Sequence, residues 1–342
     1  MVRLNSGAVV LFLCLGLAFV SGQPAEAAGS KKDVDVEGTV RKEVAKAIKS
    51  NPRVGAALVR LLFHDCWVHG CDGSVLLDSN GSNNSSTEKR AENNIGLAGF
   101  DVIDTIKAKL GDNISCADIV VLAARDATDI LSRGKIVYGV STGRKDGVIS
   151  TAAAADAVLP PSTLNFDQLK ANFAAKNFTQ RELVVLSGAH AIGVAHLSSF
   201  IDRLKPSTST PISETYQKAL GDHVKAQKKV QGTPDPAEMN NIRDMDLTFQ
   251  NKSGYHPTRV NMTATAVLDN SYYSANLQNM VLFRSDWELR NDSSNAAGDA
   301  MEEFMENASK WFLLFGKAMA KLSELPAEGT RFEIRKNCRK TN

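Results

Sequence analysis

Apolar residues recurring every three or four positions, with almost no two-residue alternation, constrain this chain more than any other feature. "VEGTVRKEVAKAIKS" and "FDVIDTIKAKL" carry that spacing, and "SCADIVVLAARDATDIL" is apolar and rich in alanine and leucine. In "SNPRVGAALVRLLFHDC", Ser50 or Asn51 can cap a helix and Pro52 suits its first position. "TQRELVVLSGAH" opens with Thr179 and Glu182 in capping-box register, and a further long helix fits "AMEEFMENASKWFLLFGKAMAKLSEL". The chain is therefore expected to be all-α with little β structure. Loops interrupt it at "DSNGSNNSS", "STGRKDG", "LPPSTLN" and from Thr233 to Met262. A length of 342 residues is enough for a substantial core. If Cys116 and Cys338 pair across the last loop, the chain forms one compact unit with two lobes.

The first residues, "MVRLNSGAVVLFLCLGLAFVSGQPAEAAGSKK", place a charge at Arg3, an apolar run from Gly7 to Val20, and small residues at Ala25, Ala27 and Ala28. This reads as a secretory signal peptide over 1–28, cleaved between Gly22 and Ala28. The apolar run is short for a membrane anchor. Cleavage removes Cys14 and leaves Cys66, Cys71, Cys116 and Cys338. An even number in an oxidising compartment predicts two disulfides, with three pairings open. Sequons at Asn80, Asn83, Asn84, Asn113, Asn177, Asn251, Asn261, Asn291 and Asn307 agree with a secreted glycoprotein. A formal net charge of +2, evenly spread, argues against nucleic acid or a membrane surface as partner and for a small substrate or a neutral partner. No apolar tail follows "NCRKTN", so the extracellular space is expected rather than the vacuole.

Chemistry concentrates in "RLLFHDCWVHGCDGSVLLD", residues 60–78. On a helix, Arg60 and His64 are one turn apart and Phe63 lies next to them in angle, so the three share about a quarter of the circumference. A bland reading makes His64 a satisfied core residue and pairs Arg60 with Asp65. Against it, Asp65, Asp72 and Ser74, with carbonyls of the glycine-containing loop, offer the hard oxygens that Ca²⁺ prefers. Cys66 and Cys71 can close that loop and stiffen it. A zinc site from His64, Cys66, His69 and Cys71 is the rival, and oxidised cysteines would not serve it.

This stretch resembles the distal motif of the secretory plant haem peroxidases of class III. The resemblance implies a haem-peroxidase fold, with a distal lobe over 29–165 and a proximal lobe over 166–342 sandwiching haem b. It makes His64 the distal base, Arg60 the distal arginine and Phe63 a shield at the haem edge. Asp65, Val68, Gly70, Asp72 and Ser74 become the distal calcium site, with Glu88 tied to it through water. Asn94 of "TEKRAENN" falls where the family has an asparagine bonded to the distal histidine. "VVLSGAHAIGVAH" is similar to the proximal motif, making His190 the axial iron ligand; His196 is assigned no role. "LDNSYY" followed by "SDWEL" places Asp286 behind His190. Pro160 of "LPPS" falls where the family contacts aromatic substrates. The resemblance runs from about Val36 to Arg339 and implies a monomeric oxidoreductase that reduces H2O2 and oxidises phenols or other small aromatics.

Those residue types suit that chemistry. Heterolysis of H2O2 requires a proton to leave one oxygen and reach the other, which a neutral imidazole can do. Asn94, accepting from Nδ1–H, would keep the Nε2 of His64 free. Arg60 would stabilise developing negative charge. Asp286 would lend His190 imidazolate character.

The chain also departs from the family. Two cysteine pairs are missing, one with a member near Leu110 and one at Leu197 and near His223, so the implied bridges are Cys66–Cys71 and Cys116–Cys338. At the proximal calcium site Ala191 and Ala264 replace threonines and Asn261 an aspartate, leaving Asp269 as the carboxylate. One Ca²⁺, at the distal site, is therefore expected, and a second is in question. Trp67 stands where phenylalanine is usual. A second hypothesis is a cell-wall glycoprotein keeping the fold with little activity; a metal-dependent hydrolase using His64 and Asp65 would leave His190 unexplained.

Overall fold

A computed structural model describes residues 34–79, 86–206, 208–231, 237–239 and 267–342. The expected signal peptide with Cys14, the sequons at Asn80, Asn83, Asn84, Asn251 and Asn261, and Ala264 lie outside the described residues. Helices dominate because the apolar spacing of the sequence leaves one stripe per helix to bury. Along the first half run α1 (Val36–Ser50), α2 (Arg53–His69), α3 (Phe100–Leu110), α4 (Cys116–Leu131), α5 (Ala152–Val158) and α6 (Phe166–Ala175). Then come α7 (Gln180–Ser187), α8 (Glu214–Gln231), α9 (Ser271–Leu277), α10 (Arg284–Glu288), α11 (Ala296–Glu306) and α12 (Ala308–Ser323). Described strands are short and pair antiparallel: Asp146–Gly147 with Phe332–Glu333, and Val194–His196 with Ala237–Met239. The second pairing places a strand inside the segment expected to be loop.

Capping fixes the ends of the helices that matter. Asn51 Oδ1 accepts from the Arg53 N–H at 3.1 Å just ahead of α2, while Pro52, expected as the first helical residue, stands at the N-cap position. Thr179 and Glu182 form the expected capping box at α7. The single long helix expected near the C-terminus is two helices. Asn307 leaves helical geometry (φ −122°, ψ 79°) and its side chain accepts from the Lys310 N–H, ending α11 and capping α12.

Packing centres on α2, which lies against α4 while α4 also packs on α1. Leu58, Leu61 and Leu62 of α2 are buried in the main core, each worth about 2 kcal/mol of apolar burial. Helix α12 packs on both α7 and α2 and so connects the two segments that carry the candidate histidines. A smaller cluster gathers Leu197, Phe200, Ile212, Tyr216, Leu220 and Val224, where side-chain packing surrounds the position of one missing cysteine. Asp35–Asn342 form one compact unit. Both expected disulfides are present: Cys66–Cys71, and Cys116–Cys338 across a separation of 222 residues.

Candidate active site

On α2 the helical period does what the sequence predicts: Arg60 and His64 sit one turn apart and touch. His64 Nδ1 lies 2.5 Å from Asn94 Oδ1, while Asn94 Nδ2 donates to the Glu88 carbonyl at 2.7 Å. The second bond fixes the amide so that oxygen faces the ring, and an oxygen can only accept; Nδ1 therefore carries the proton. Nε2 is the unprotonated nitrogen, as expected, but it is not free. It accepts from Arg60 Nε at 3.1 Å, because the guanidinium folds back along the helix and is anchored by donating through Nη2 to the Asn93 carbonyl at 2.9 Å. Burial, then the Arg60 charge, push the His64 pKa down to about 3 against the opposing Asn94 bond. Burial also lowers Arg60 to about 10, leaving it a cation. The pairing of Arg60 with Asp65 does not occur.

Phe63 stands edge-on to His64 and stacks on Trp67, ring centroids 4.6 Å apart. The larger indole at 67 is fully buried among Phe173 and Phe178, and its Nε1 donates to Asn172 Oδ1 at 3.0 Å, so the substitution is accommodated with its polar atom satisfied.

Beyond α2 the chain turns sharply at Gly70. Its φ of +76° favours glycine, and a Cβ there would meet the Pro326 carbonyl oxygen at 1.9 Å. The turn brings buried acids together. Asp65 Oδ2 accepts from the Gly73 N–H and Asp72 Oδ1 from the Ser74 N–H. Asp65 Oδ1, Ser74 Oγ and both oxygens of Glu88 are buried without a hydrogen-bond partner. Burial raises all three carboxyl pKa values, and the neighbouring Asp72 charge raises Asp65 further, as the Asp65 charge does Glu88. Orphaned hard oxygens under mutual repulsion are what a divalent cation relieves. Among the described residues no three His, Cys, Asp or Glu side chains form a metal cluster by themselves. An ion here would thus draw on backbone carbonyls, such as those of Val68 and Gly70. Lys176 Nζ donates weakly to the Val68 carbonyl, at 3.4 Å. The zinc alternative fails because Cys66 and Cys71 are joined.

His190 sits on a 3-10 turn, Gly188–Ala191, directly after α7. The turn is held close to α12: a Cβ on Gly188 would lie 2.7 Å from Trp311 Nε1 and 2.8 Å from Tyr273 Oη. Nδ1 of His190 bonds Asp286 Oδ1 at 2.8 Å. Burial lowers the pKa of the ring, but the Asp286 charge and hydrogen bond outweigh it and the net shift is upward. The ring lies deep in the fold, yet 38% of the side chain is uncovered, so it borders open space rather than packed core. Nε2 has no hydrogen-bond partner among the described residues. The Arg60 charge acts on His190 as well as on His64, and in both cases disfavours the imidazolium.

Pro160 is half-buried in a segment tied to both sides. The Leu159 carbonyl accepts from Asn93 Nδ2 at 3.4 Å, and Ser162 Oγ donates to the Ser199 carbonyl at 2.8 Å. At the proposed proximal calcium site, Ala191 is buried and has no side-chain oxygen, while Asp269 Oδ1 accepts from both the N–H and the hydroxyl of Ser271. Asn261 and Ala264 lie outside the described residues.

Two residues escaped the sequence reading. Tyr272 donates its hydroxyl to Asp286 Oδ1 at 2.9 Å. Its place in "LDNSYY", one helical turn before Asn276, was the available signal. Arg335, fully buried, donates to the Gly73 carbonyl at 2.6 Å and the Cys338 carbonyl at 2.8 Å. Nothing local marks it out among the charges of "EIRKNCRK".

A sequence profile of the family described as "Peroxidase" matches residues 40–307. The chain is 36% identical over 316 residues to "Peroxidase 2" of Zea mays, covering 90% of this chain and 85% of that protein. It is 38% identical over 308 residues to "Peroxidase 5" of Vitis vinifera, covering 89% and 87%. Over 352 residues it is 35% identical to "Peroxidase 1" of Oryza sativa subsp. japonica, covering 98% and 99%.

Proposed function

The chain belongs to the peroxidase family, among the class III plant enzymes, and from that premise we propose that it is a haem peroxidase reducing H2O2 at the expense of phenols or other small aromatic donors. One observation carries the assignment of the site. Two imidazoles from distant segments each have Nδ1 fixed by an acceptor, and both feel the charge of Arg60. The donor set suits haem b. His190 presents an unshared Nε2 at the edge of open space, and the four cysteines among the described residues are all in disulfides, which leaves none for covalent attachment. Haem held by His190 would supply a redox-active iron able to exchange electrons with peroxide and donor.

The residues do the rest. His64 Nε2 takes the proton from one peroxide oxygen and returns it to the other, a transfer that needs the neutral ring which burial and Arg60 enforce. Arg60 must first give up its bond to Nε2, and the released N–H is then available to the oxygen on which negative charge develops. Phe63, backed by Trp67, excludes water beside that proton transfer. Asp286 holds His190 by its Nδ1 proton and increases its electron donation. Pro160 offers an apolar contact for an aromatic donor.

Calcium is proposed at the distal loop, with Asp65, Asp72 and Ser74 as side-chain ligands, carbonyls of Val68 and Gly70, and Glu88 reaching the ion through water. Position 191 contributes no oxygen ligand, so a proximal ion would be weakly held there. Among the described residues no helix is long and apolar enough to cross a membrane. The leader motif and the two disulfides support secretion to the extracellular space.

The test is an absorption spectrum of purified protein, with and without H2O2, repeated for His190→Ala. A Soret band that responds to peroxide, lost in the variant, together with peroxide-dependent oxidation of a phenol, is expected. A folded, colourless, haem-free preparation would favour the inactive wall glycoprotein instead.

A further inference from the structure

The carboxylate behind His190 is shared. Asp286 Oδ1 accepts from His190 Nδ1 at 2.8 Å and from the Tyr272 hydroxyl at 2.9 Å. Asn276, one helical turn beyond Tyr272 on α9, donates through Nδ2 to the tyrosine oxygen at 3.2 Å and to the Asp286 backbone carbonyl at 2.7 Å. With a lone pair of that oxygen already engaged by Asn276, the hydroxyl proton is directed at Asp286. The Tyr272, Asn276 and Asp286 side chains are all buried, so water does not compete for these positions. A hydrogen bond to a charged acceptor is stronger than a neutral one, and two donors on one oxygen divide its basicity.

We propose that Tyr272 is a positioning residue that limits how much electron density Asp286 lends to His190, and thereby sets the reduction potential of the iron that His190 would hold. The proposal rests on the reading of His190 as axial ligand. Tyr272 would act through the Asp286 carboxylate to which it donates. The tyrosine proton draws charge away from Oδ1, the Nδ1–H of His190 is pulled less strongly, and the ring keeps more neutral imidazole character. Burial, reinforced by the nearby Asp286 charge, raises the phenol pKa well above its usual value, so the group remains a donor throughout the working pH range.

Tyr272→Phe in the haem-loaded protein removes the second donor and little volume. The ferric state should gain on the ferrous by about tenfold, a fall in midpoint potential of about 59 mV for one electron. The iron–histidine stretch of the ferrous form should move to higher frequency. Asn276→Val, which leaves the hydroxyl present but unaligned, should move both readings the same way by less. These quantities report electron donation through His190, and a merely structural role for Tyr272 would not shift them together. Haem-bound variants whose potential and stretch match the parent overturn the proposal alone. Parent protein that takes up no haem, or shows no iron–histidine stretch, overturns the reading of the site and the proposal with it.

Discussion

Replacing Asn94 with aspartate tests the distal half of the site, because it changes the charge of one atom that His64 already touches. In the parent, the acceptor at 2.5 Å from Nδ1 is neutral, and burial with Arg60 holds the imidazole pKa at about 3. A carboxylate there brings a full negative charge to ~4 Å from the ring centre, an attraction of about 4 kcal/mol at an effective dielectric near 20, or about three pKa units. His64 should then titrate near pH ~6. The sign follows from the role proposed for His64: a base works only when neutral, so raising its pKa moves the loss of activity to higher pH. Stopped-flow measurement of the second-order reaction with H2O2 should give a parent rate that stays flat as pH falls to about 4. The variant should lose about tenfold by pH ~5 and about another tenfold for each further unit. The same substitution turns the Asn94 Nδ2 donor to the Glu88 carbonyl into an opposed oxygen, costing about 1–3 kcal/mol of stability. An acid limb that stays where the parent has it, with haem still bound, would refute the assignment of His64 as the titrating base.

Calcium proposed at the distal loop implies that chelation lowers Tm and that restoring Ca²⁺ to ~100 times its Kd recovers about 2.7 kcal/mol; metal analysis should find one tightly held ion, and two tight ions or no calcium effect on Tm would contradict the site. Glu88→Gln removes one of three clustered acids and should weaken calcium binding measured by calorimetry, with less effect than Asp65→Asn, because Glu88 is proposed to reach the ion only through water. Removing the Cys116–Cys338 bridge, with its separation of 222 residues, should cost about 5 kcal/mol by the chain-entropy argument, against about 2 kcal/mol for the five-residue separation of Cys66–Cys71; equal losses in denaturant titrations would show that loop length is not what decides. Trp67→Phe should lose the bond to Asn172 and leave a cavity, destabilising by about 1–3 kcal/mol in denaturant titrations.

Where the site's logic is local, the sequence disclosed it. The helical period alone brings Arg60, Phe63 and His64 onto one face, and oxygen-bearing residues flanking a cysteine-closed turn are visible as a candidate cation loop before any coordinates. The break at Asn307 was missed for a local reason too. "FMENASKWF" keeps its apolar spacing through the junction, and a cap inside a continuous stripe gives no signal unless the asparagine's ability to bond its own backbone is weighed against propagation of the helix. What the sequence could not disclose was the direction of side chains that choose between nearby acceptors. Arg60 could as well have paired with Asp65, and only the carbonyls of Asn93 and Ile95, positioned by the loop after Glu88, draw it toward His64 instead.

The least legible feature is the one that joins the C-terminus to the acidic loop after α2, where calcium is proposed. Arg335 lies in a run of charges that reads as a solvated tail, yet its guanidinium is fully buried and donates to the carbonyl oxygens of Asp72 and Gly73. Its backbone N–H bonds Asp146 Oδ2, and the other oxygen of that carboxylate accepts from the Ala117 N–H at 2.9 Å. Ala117 follows Cys116, whose partner Cys338 offers its carbonyl to the same guanidinium. The long-range disulfide therefore does more than shorten the unfolded chain. It fixes the segment that buries a cation against the acidic loop, where the positive charge offsets part of the repulsion among Asp65 and its neighbours. It follows that opening Cys116–Cys338 should weaken calcium binding as well as lower stability, and calcium affinity unchanged in a folded Cys116→Ser/Cys338→Ser variant would show that Arg335 holds its place without the bridge.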